Sequence, residues 1–219
     1  MKRSPAVIVA AVASALTVAL AACGAETPDY QSIWTTTTTT TTSSSAEPPV
    51  PLWQHLEENG IVGEPVAPEK IPDLTVGIPT PPGWHPYNNP NLAPFTRMIA
   101  KGDTYPTAML LAFKLYGDFD VAAALRDHGY ADAQLSENFK QLNASLDDWR
   151  GFPSAMIEGS YDLNGRRMQS YNRVVIPTTE QAPPQRYLIQ LTVTTFAEQA
   201  QAQAPDIEAI ISGFTVATK

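Results

Sequence analysis

The sequence predicts an α+β domain, a mostly antiparallel sheet flanked by helices. Three observations predict it. Apolar and polar residues alternate in several runs that end on turn residues, above all at Asn164-Gly165. Helical patterns with capping residues stand at the start, the middle and the end of the same region. No internal repeat is present, and strands with helices set around them, rather than strict β-α alternation, give the α+β class.

The chain opens with a segment that precedes the domain. Lys2 and Arg3 lead into an apolar run from Ala6 to Ala22, the charged and hydrophobic regions of an export signal. That run is short for a permanent membrane span of roughly 20 apolar residues. Leu20-Ala21-Ala22-Cys23 resembles the lipobox of bacterial lipoproteins, in which the cysteine thiol receives a diacylglyceryl group and the preceding peptide is removed. The alternative is a secreted protein cleaved after an ordinary small-residue site. Cys23 is the only cysteine, which leaves it without an intramolecular disulfide partner. Two or three acyl chains on it give stable anchoring where one would be marginal. The expected organisation is therefore a signal over residues 1–22, an acylated Cys23 with a tether over 23–50, and a single domain over 51–219.

The tether is read from composition. Thr35 to Thr42 run into Ser43-Ser44-Ser45 and Glu47-Pro48-Pro49, with no hydrophobic period to offset the entropy of ordering. Tyr30, Ile33 and Trp34 form an apolar group on its membrane side, suited to an interfacial position or a docking epitope.

The domain begins with a short helix over 51–60. Pro51 lies in its first turn, Leu52, Trp53 and Leu56 share a face, and Asn59-Gly60 stop it. Leu74 to Ile78 alternates and meets Pro79, an edge or short strand. Pro81-Pro82-Gly83 then turns the chain, and Trp84 is expected to pack over that turn. Phe95 to Ala100 is a strand, and Ala108 to Leu115, nearly all apolar, is a central one. Asp118 or Asp120 caps a helix through Arg126 that Gly129 ends. A second helix starts at Asp132 or Ala133 and carries Leu135 and Phe139. Phe152 to Leu163 and Arg166 to Ile176 form a hairpin, because Asn164-Gly165 supplies the two positive-φ positions of a type I′ turn. Arg186 to Thr195 is a strand with Tyr187, Ile189, Leu191 and Val193 on one face and Gln190, Thr192 and Thr194 on the other. A C-terminal helical region covers Phe196 to Gln203 and restarts at Pro205, where Ile207, Ile210 and Ile211 make an apolar stripe.

Charge and motifs narrow the function. The formal net charge is −8, and two of the positive charges, Lys2 and Arg3, leave with the signal. That acidity disfavours nucleic acid as a partner and electrostatic adhesion to an anionic membrane surface, which leaves attachment to the lipid. No Gly-x-Ser-x-Gly elbow is present: Ser160 follows Gly159 inside a strand. His55, His85 and His128 lack metal-ligand spacing, and no His-Glu-x-x-His occurs. Asp147-Asp148 and Asp118/Asp120 read as caps and solvated surface. The sequence thus points to no enzyme, no metal and no cofactor.

Binding candidates remain. Trp84, Tyr105 and Tyr161 belong to an aromatic set that serves either a core or a binding site. With Met98, Met109, Met156 and Met168, several of them could line a pocket between sheet and helix suited to an acyl chain. Arg166-Arg167 is the compact positive spot of an acidic chain, either a solvated hairpin end or a site for a carboxylate or sugar-phosphate partner. The pair is expected to contribute little to folding, as exposed charges do.

Taken together, the lipobox, the Thr/Ser-rich tether, Val50-Pro51-Leu52-Trp53, Leu74-Thr75-Val76-Gly77-Ile78-Pro79, Pro82-Gly83-Trp84, Gly159-Ser160-Tyr161 with Asn164-Gly165-Arg166, and Asp206 to Ile211 resemble the mycobacterial LpqN/LpqT group of lipoproteins. Tyr105 to Met109 and Gln185 to Leu188 resemble its LpqT branch. The resemblance implies a PsbP-like fold, an antiparallel sheet flanked by helices. One member of the group is associated with envelope lipid export, through large membrane transporters and trehalose mycolates. The expectation is a non-catalytic lipoprotein on the outer face of the cell membrane. It would be held by membrane lipid through Cys23 and bind an envelope glycolipid, assist a large membrane transporter, or act as a protein adaptor. A hydrolase is the remaining alternative.

Overall fold

A computed structural model describes residues 48–88, 90–180 and 182–219. The signal, Cys23 and the tether through Glu47 lie outside the described residues. Helix α1 (Leu52–Glu58) buries Leu52 and Leu56. Strands β1 (Val62–Pro65), β2 (Leu74–Gly77), β3 (His85–Pro86), β4 (Arg97–Ala100) and β5 (Thr107–Tyr116) follow. Next come α2 (Val121–His128), α3 (Ala131–Gln134), β6 (Lys140–Ser145), β7 (Ser154–Leu163), β8 (Arg166–Val175) and β9 (Arg186–Phe196). Helix α4 (Ala200–Gly213) and strand β10 (Thr215–Thr218) complete the chain.

The large sheet is antiparallel, in the order β3-β4-β5-β9-β8-β7-β6. On the edge of β5 away from β9, β4 pairs with its first half and β1 with its second. Strand β5 is central, as its apolar run requires. The β7–β8 hairpin turns where expected: Asn164 has φ 50° and Gly165 φ 75°, closing Leu163 onto Arg166. Strands β2 and β10 form a separate antiparallel pair.

Two apolar clusters sandwich the sheet. On one face Leu110, Met156, Tyr171, Ile189, Leu191 and Val193 pack beneath Ile207, Ile210 and Phe214 of the α4 region and Leu74, Val76 and Val216 of the β2–β10 pair. On the other face Leu115, Ala155, Val174, Ile176 and Leu188 meet Leu52, Leu56, Ala124 and Leu125 of α1 and α2.

Several elements differ from the sequence expectation. Strands β1, β3, β6 and β10 are not expected from the sequence. Val62-Gly63-Glu64-Pro65 carries a glycine and a proline, β3 is two residues long, β6 is mostly polar with a register shift between Gln141 and Asn143, and β10 is four residues long. The helix expected to carry Leu135 and Phe139 is only Ala131–Gln134. Asn138, at φ 51°, turns the chain so that Phe139 packs on β7. There a side chain on Gly159 would run into the Phe139 ring. Phe95 lies outside β4, at φ 67° and 56% exposed. Strand β9 runs through Phe196, a turn of 3-10 helix covers Ala197–Gln199, and α4 continues past Pro205 rather than restarting there. Ile207 and Ile210, both fully buried, hold α4 through the proline despite the lost backbone bond.

Candidate functional site

The two sheet faces are unequal. The face beneath α4 is closed, whereas the opposite face is covered only at one end by α1 and α2 and beside it by α3. Register places a continuous row across its open part: Met98 lies opposite Met109, Met109 opposite Thr192, Thr192 opposite Asn172, and Asn172 opposite Ile157. Residues directly opposite in antiparallel strands share a face, so these side chains form one rung. The next rung holds Leu111, Gln190 and Val174. Met98, Met109, Leu111, Phe113, Asn172, Gln190 and Thr192 are all half-buried. The face is thus apolar along β4 and β5 and neutral polar along β9 and β8.

A cavity of about 110 Å³ lies where the polar half meets α3. Asp132, Ala133 and Ser136 wall it from the helix side, and Tyr161, Ser170, Asn172, Gln190 and Thr192 from the sheet. No basic side chain lines it. Burial pushes the Asp132 carboxyl up, while the backbone N–H of Leu52, which it accepts, pulls it down. Asp132 therefore caps α1 from a distant point of the chain, since the Pro51 ring offers no side-chain acceptor to do so. Burial also raises the Tyr161 phenol, with Tyr105 adding to the shift and a hydrogen bond with Thr194 opposing it. Asn172 donates through Nδ2 to Ser170 Oγ at 3.1 Å.

The sequence candidates separate in space. Tyr105, Tyr161 and Arg166 gather at the hairpin end of the open face. The Tyr105 ring meets Phe196 edge-on at 5.2 Å, and the Arg166 guanidinium lies 3.5 Å over the same ring while pairing with Glu198. Arg167 points to the opposite face, where its guanidinium donates to Asp162 at 3.0 Å, Asn138 O at 2.9 Å, Ser160 O at 3.1 Å and Ser160 Oγ at 2.7 Å. It is a structural tie, not a free cation. Trp84 is buried at 6% exposure and donates from Nε1 to Asp206 at 3.1 Å. The methionines divide as well: Met98 and Met109 lie on the open face, whereas Met156 and Met168 are buried. The His55 and His128 rings stack at 4.0 Å. Among the described residues no group of three or more His, Cys, Asp or Glu could hold a metal ion, and no helix is long and apolar enough to cross a membrane.

Asn172, Ser170 and Asp132 are the site residues that sequence reasoning missed. The Gln190-Thr192-Thr194 alternation gave the polar side of β9, and carrying that alternation across the hairpin register to β8 would have found Ser170 and Asn172. Asp132 reads as an ordinary helix start.

Comparison with known proteins places the chain in a family. Residues 48–217 match the family model described as "Probable lipoprotein LpqN". The chain is 56% identical over 212 residues to the lipoprotein LpqT of Mycobacterium tuberculosis, covering 96% of this chain and 93% of that protein. It is 56% identical over 210 residues to LpqT of Mycobacterium leprae, covering 96% and 95%. A proline-rich 28 kDa antigen of Mycobacterium tuberculosis is 37% identical over 169 residues, and the match spans 75% of this chain and 53% of the antigen. Among solved structures, that of LpqN from Mycobacterium tuberculosis, described as involved in cell envelope biogenesis, superposes with a TM-score of 0.65 at 21% identity, covering 78% of this chain and 99% of that one. At that identity the likeness concerns the fold.

Proposed function

Because the chain belongs to the mycobacterial LpqN/LpqT family of cell-envelope lipoproteins, with its PsbP-like fold, we propose that it is a non-catalytic protein anchored by acylated Cys23 on the outer face of the cell membrane. There its half-open sheet face receives an envelope glycolipid and presents it to a lipid-transport membrane protein. The supporting observation is the rung Met98, Met109, Thr192, Asn172, which sets an apolar strip beside a neutral hydrogen-bonding one.

The chemistry of that face selects the ligand class. Hydroxyl-rich, uncharged heads suit Asn172, Gln190, Thr192, Ser136 and Asp132, which offer both donors and acceptors. The adjoining Leu111 and Phe113 can cover methylenes, each worth about 0.8 kcal/mol when buried. A cavity of about 110 Å³ falls well short of the roughly 300 Å³ typical of small-molecule pockets. An acyl chain would therefore lie along the open face rather than inside the domain. The same small volume favours a second reading, a protein adaptor that uses this face for a partner.

Native mass spectrometry of the protein purified from its own envelope tests the choice. One-to-one lipid that is depleted by Asn172→Leu supports glycolipid binding. Lipid-free protein that still captures a transporter through this face selects the adaptor. Anchoring is checked separately with a clickable fatty acid: Cys23→Ala is expected to lose the label and leave the membrane fraction.

A further inference from the structure

A second surface, which adjoins the open sheet face at Met98, has the composition of a bilayer contact. Between Asp73 and Asp103 the sequence contains no acidic residue, although the whole chain carries 22 Asp and Glu. Within that stretch, residues 86–96 carry no charge at all. In the structure this uncharged segment borders a groove of about 380 Å³ whose walls include Lys70, Pro86, Tyr87, Phe95, Arg97 and Met98. Glu69 is the carboxylate among its lining residues.

Phe95 stands at the rim, 56% exposed and at φ 67°, a backbone conformation unfavourable for a bulky L-residue. Its projection is set by the turn that contains it: Ala93 O accepts both the Thr96 N–H at 3.2 Å and the Thr96 hydroxyl at 2.7 Å. Across the groove the Tyr87 N–H donates to Met98 O at 2.9 Å. Lys70 and Arg97 are exposed, and neither pairs with a carboxylate among the described residues.

The tether does not choose which face meets the membrane. From Cys23 to Pro48 the chain can reach about 80 Å when extended, about twice the width of a domain this size. The surface itself must then decide. Acidic surfaces are repelled by anionic headgroups, whereas an uncharged rim with an aromatic side chain and two unpaired cations is attracted.

We propose that the Phe95 rim, with Lys70 and Arg97 at its base, seats the domain on the anionic phospholipid bilayer that carries its anchor. Phe95 enters the headgroup boundary, and the two cations meet phosphate oxygens. This contact rests on the anchoring proposed above but not on the glycolipid reading: the two surfaces adjoin at Met98, and the hydrogen-bonding residues of the glycolipid site lie on β8, β9 and α3.

Full-length acylated protein reconstituted in phosphatidylcholine vesicles, with and without phosphatidylglycerol, provides the test. The thiol of Cys23 is consumed by its anchor, so Phe95→Cys or Glu208→Cys offers one site for an environment-sensitive nitrobenzoxadiazole label. Glu208 is exposed on α4. The expected result is a blue-shifted emission quenched by doxyl-labelled lipid at position 95 and not at 208, at least twofold stronger with phosphatidylglycerol and reduced at least twofold by Lys70→Glu with Arg97→Glu. Equal quenching at 95 and 208 overturns the proposal. Quenching at 95 that ignores both phosphatidylglycerol and the charge reversal overturns the role of the two cations. Shielding of position 95 that arises on concentration without vesicles overturns it in favour of a second copy of the chain. Unchanged melting temperatures of the labelled variants keep each result interpretable.

Discussion

Arg166 and Arg167 are neighbours in sequence with opposite fates. Arg166 is half exposed and rests on Phe196, whereas the Arg167 side chain is only 18% exposed and holds the hairpin to the turn at Asn138. Alternation along β8 separates them. The expectation that both are dispensable for folding therefore holds for one only. Arg167→Ala is expected to cost about 1–2 kcal/mol, because Ser160 and Asp162 lose a shared donor in a part-buried setting. In a domain of this size that is about 5 °C in melting temperature, and Arg166→Ala should move it by less than about 2 °C. Differential scanning calorimetry of the two single variants distinguishes them. Gly165→Val tests the turn between the strands. A β-branched residue at φ 75° is expected to cost more than about 1 kcal/mol in urea unfolding.

Helix α4 is fastened at its middle and at its C-terminus by long-range ties. Near its middle Asp206 accepts from Lys101 Nζ at 2.6 Å and Trp84 Nε1 at 3.1 Å. At its C-terminus the Arg150 guanidinium donates to Phe214 O at 2.9 Å and Ser212 O at 2.8 Å. Those carbonyls are among the acceptors a helix end leaves open. Arg150→Ala is expected to raise amide exchange in the last turn of α4 and in β10, with little change in β7 or β8. The Asp206 tie gives a pH dependence. Lys101, and then Trp84, hold the Asp206 carboxyl below the usual carboxylate range. Its folded pKa lies below the unfolded value, so its stabilisation is complete above the unfolded pKa and is lost as pH falls through the folded one. Wild type should lose stability through this group as pH falls below about 4. Asp206→Asn should be less stable at pH 7 and show a shallower acid-side decline, as read from thermal melts across that range.

The molecule as a whole is a sheet with one face sealed and the other partly available. Sealing requires large apolar side chains with no exposure, and Ile210 on α4 is one of them. Ile210→Ala is expected to cost about 2–5 kcal/mol through the cavity it leaves. Met109, half-buried on the open face, should cost less than about 1.5 kcal/mol on the same replacement, because water already reaches part of it. If the open face is the binding surface, Met109→Ala weakens capture of lipid or transporter while leaving folding nearly intact. Equal destabilisation by both replacements, measured by chemical denaturation, would mean that the two faces are equally packed.

Local chemistry was enough to determine part of this protein from its sequence alone. Asn164-Gly165 fixed a hairpin because two adjacent positive-φ positions admit few other solutions. The apolar run of β5 marked a central strand, Asp118 or Asp120 marked the start of α2, where Asp120 accepts the Ala123 N–H, and the lipobox-like ending at Cys23 set the expectation of an anchor. The family was legible because many short motifs agreed along nearly the whole chain. Tertiary structure decided what depends on partners distant in sequence. Strands β1, β6 and β10 exist through pairing with β5, β7 and β2, and their own residues carry weak strand patterns. Trp84 joined the core because Asp206, far along the chain, receives its N–H. The open face is likewise a product of register: Met98, Met109, Thr192 and Asn172 come from four strands, and only antiparallel pairing sets their side chains in one row. Periodicity reports which way a side chain points along its own strand, and the register between strands decides what stands beside it.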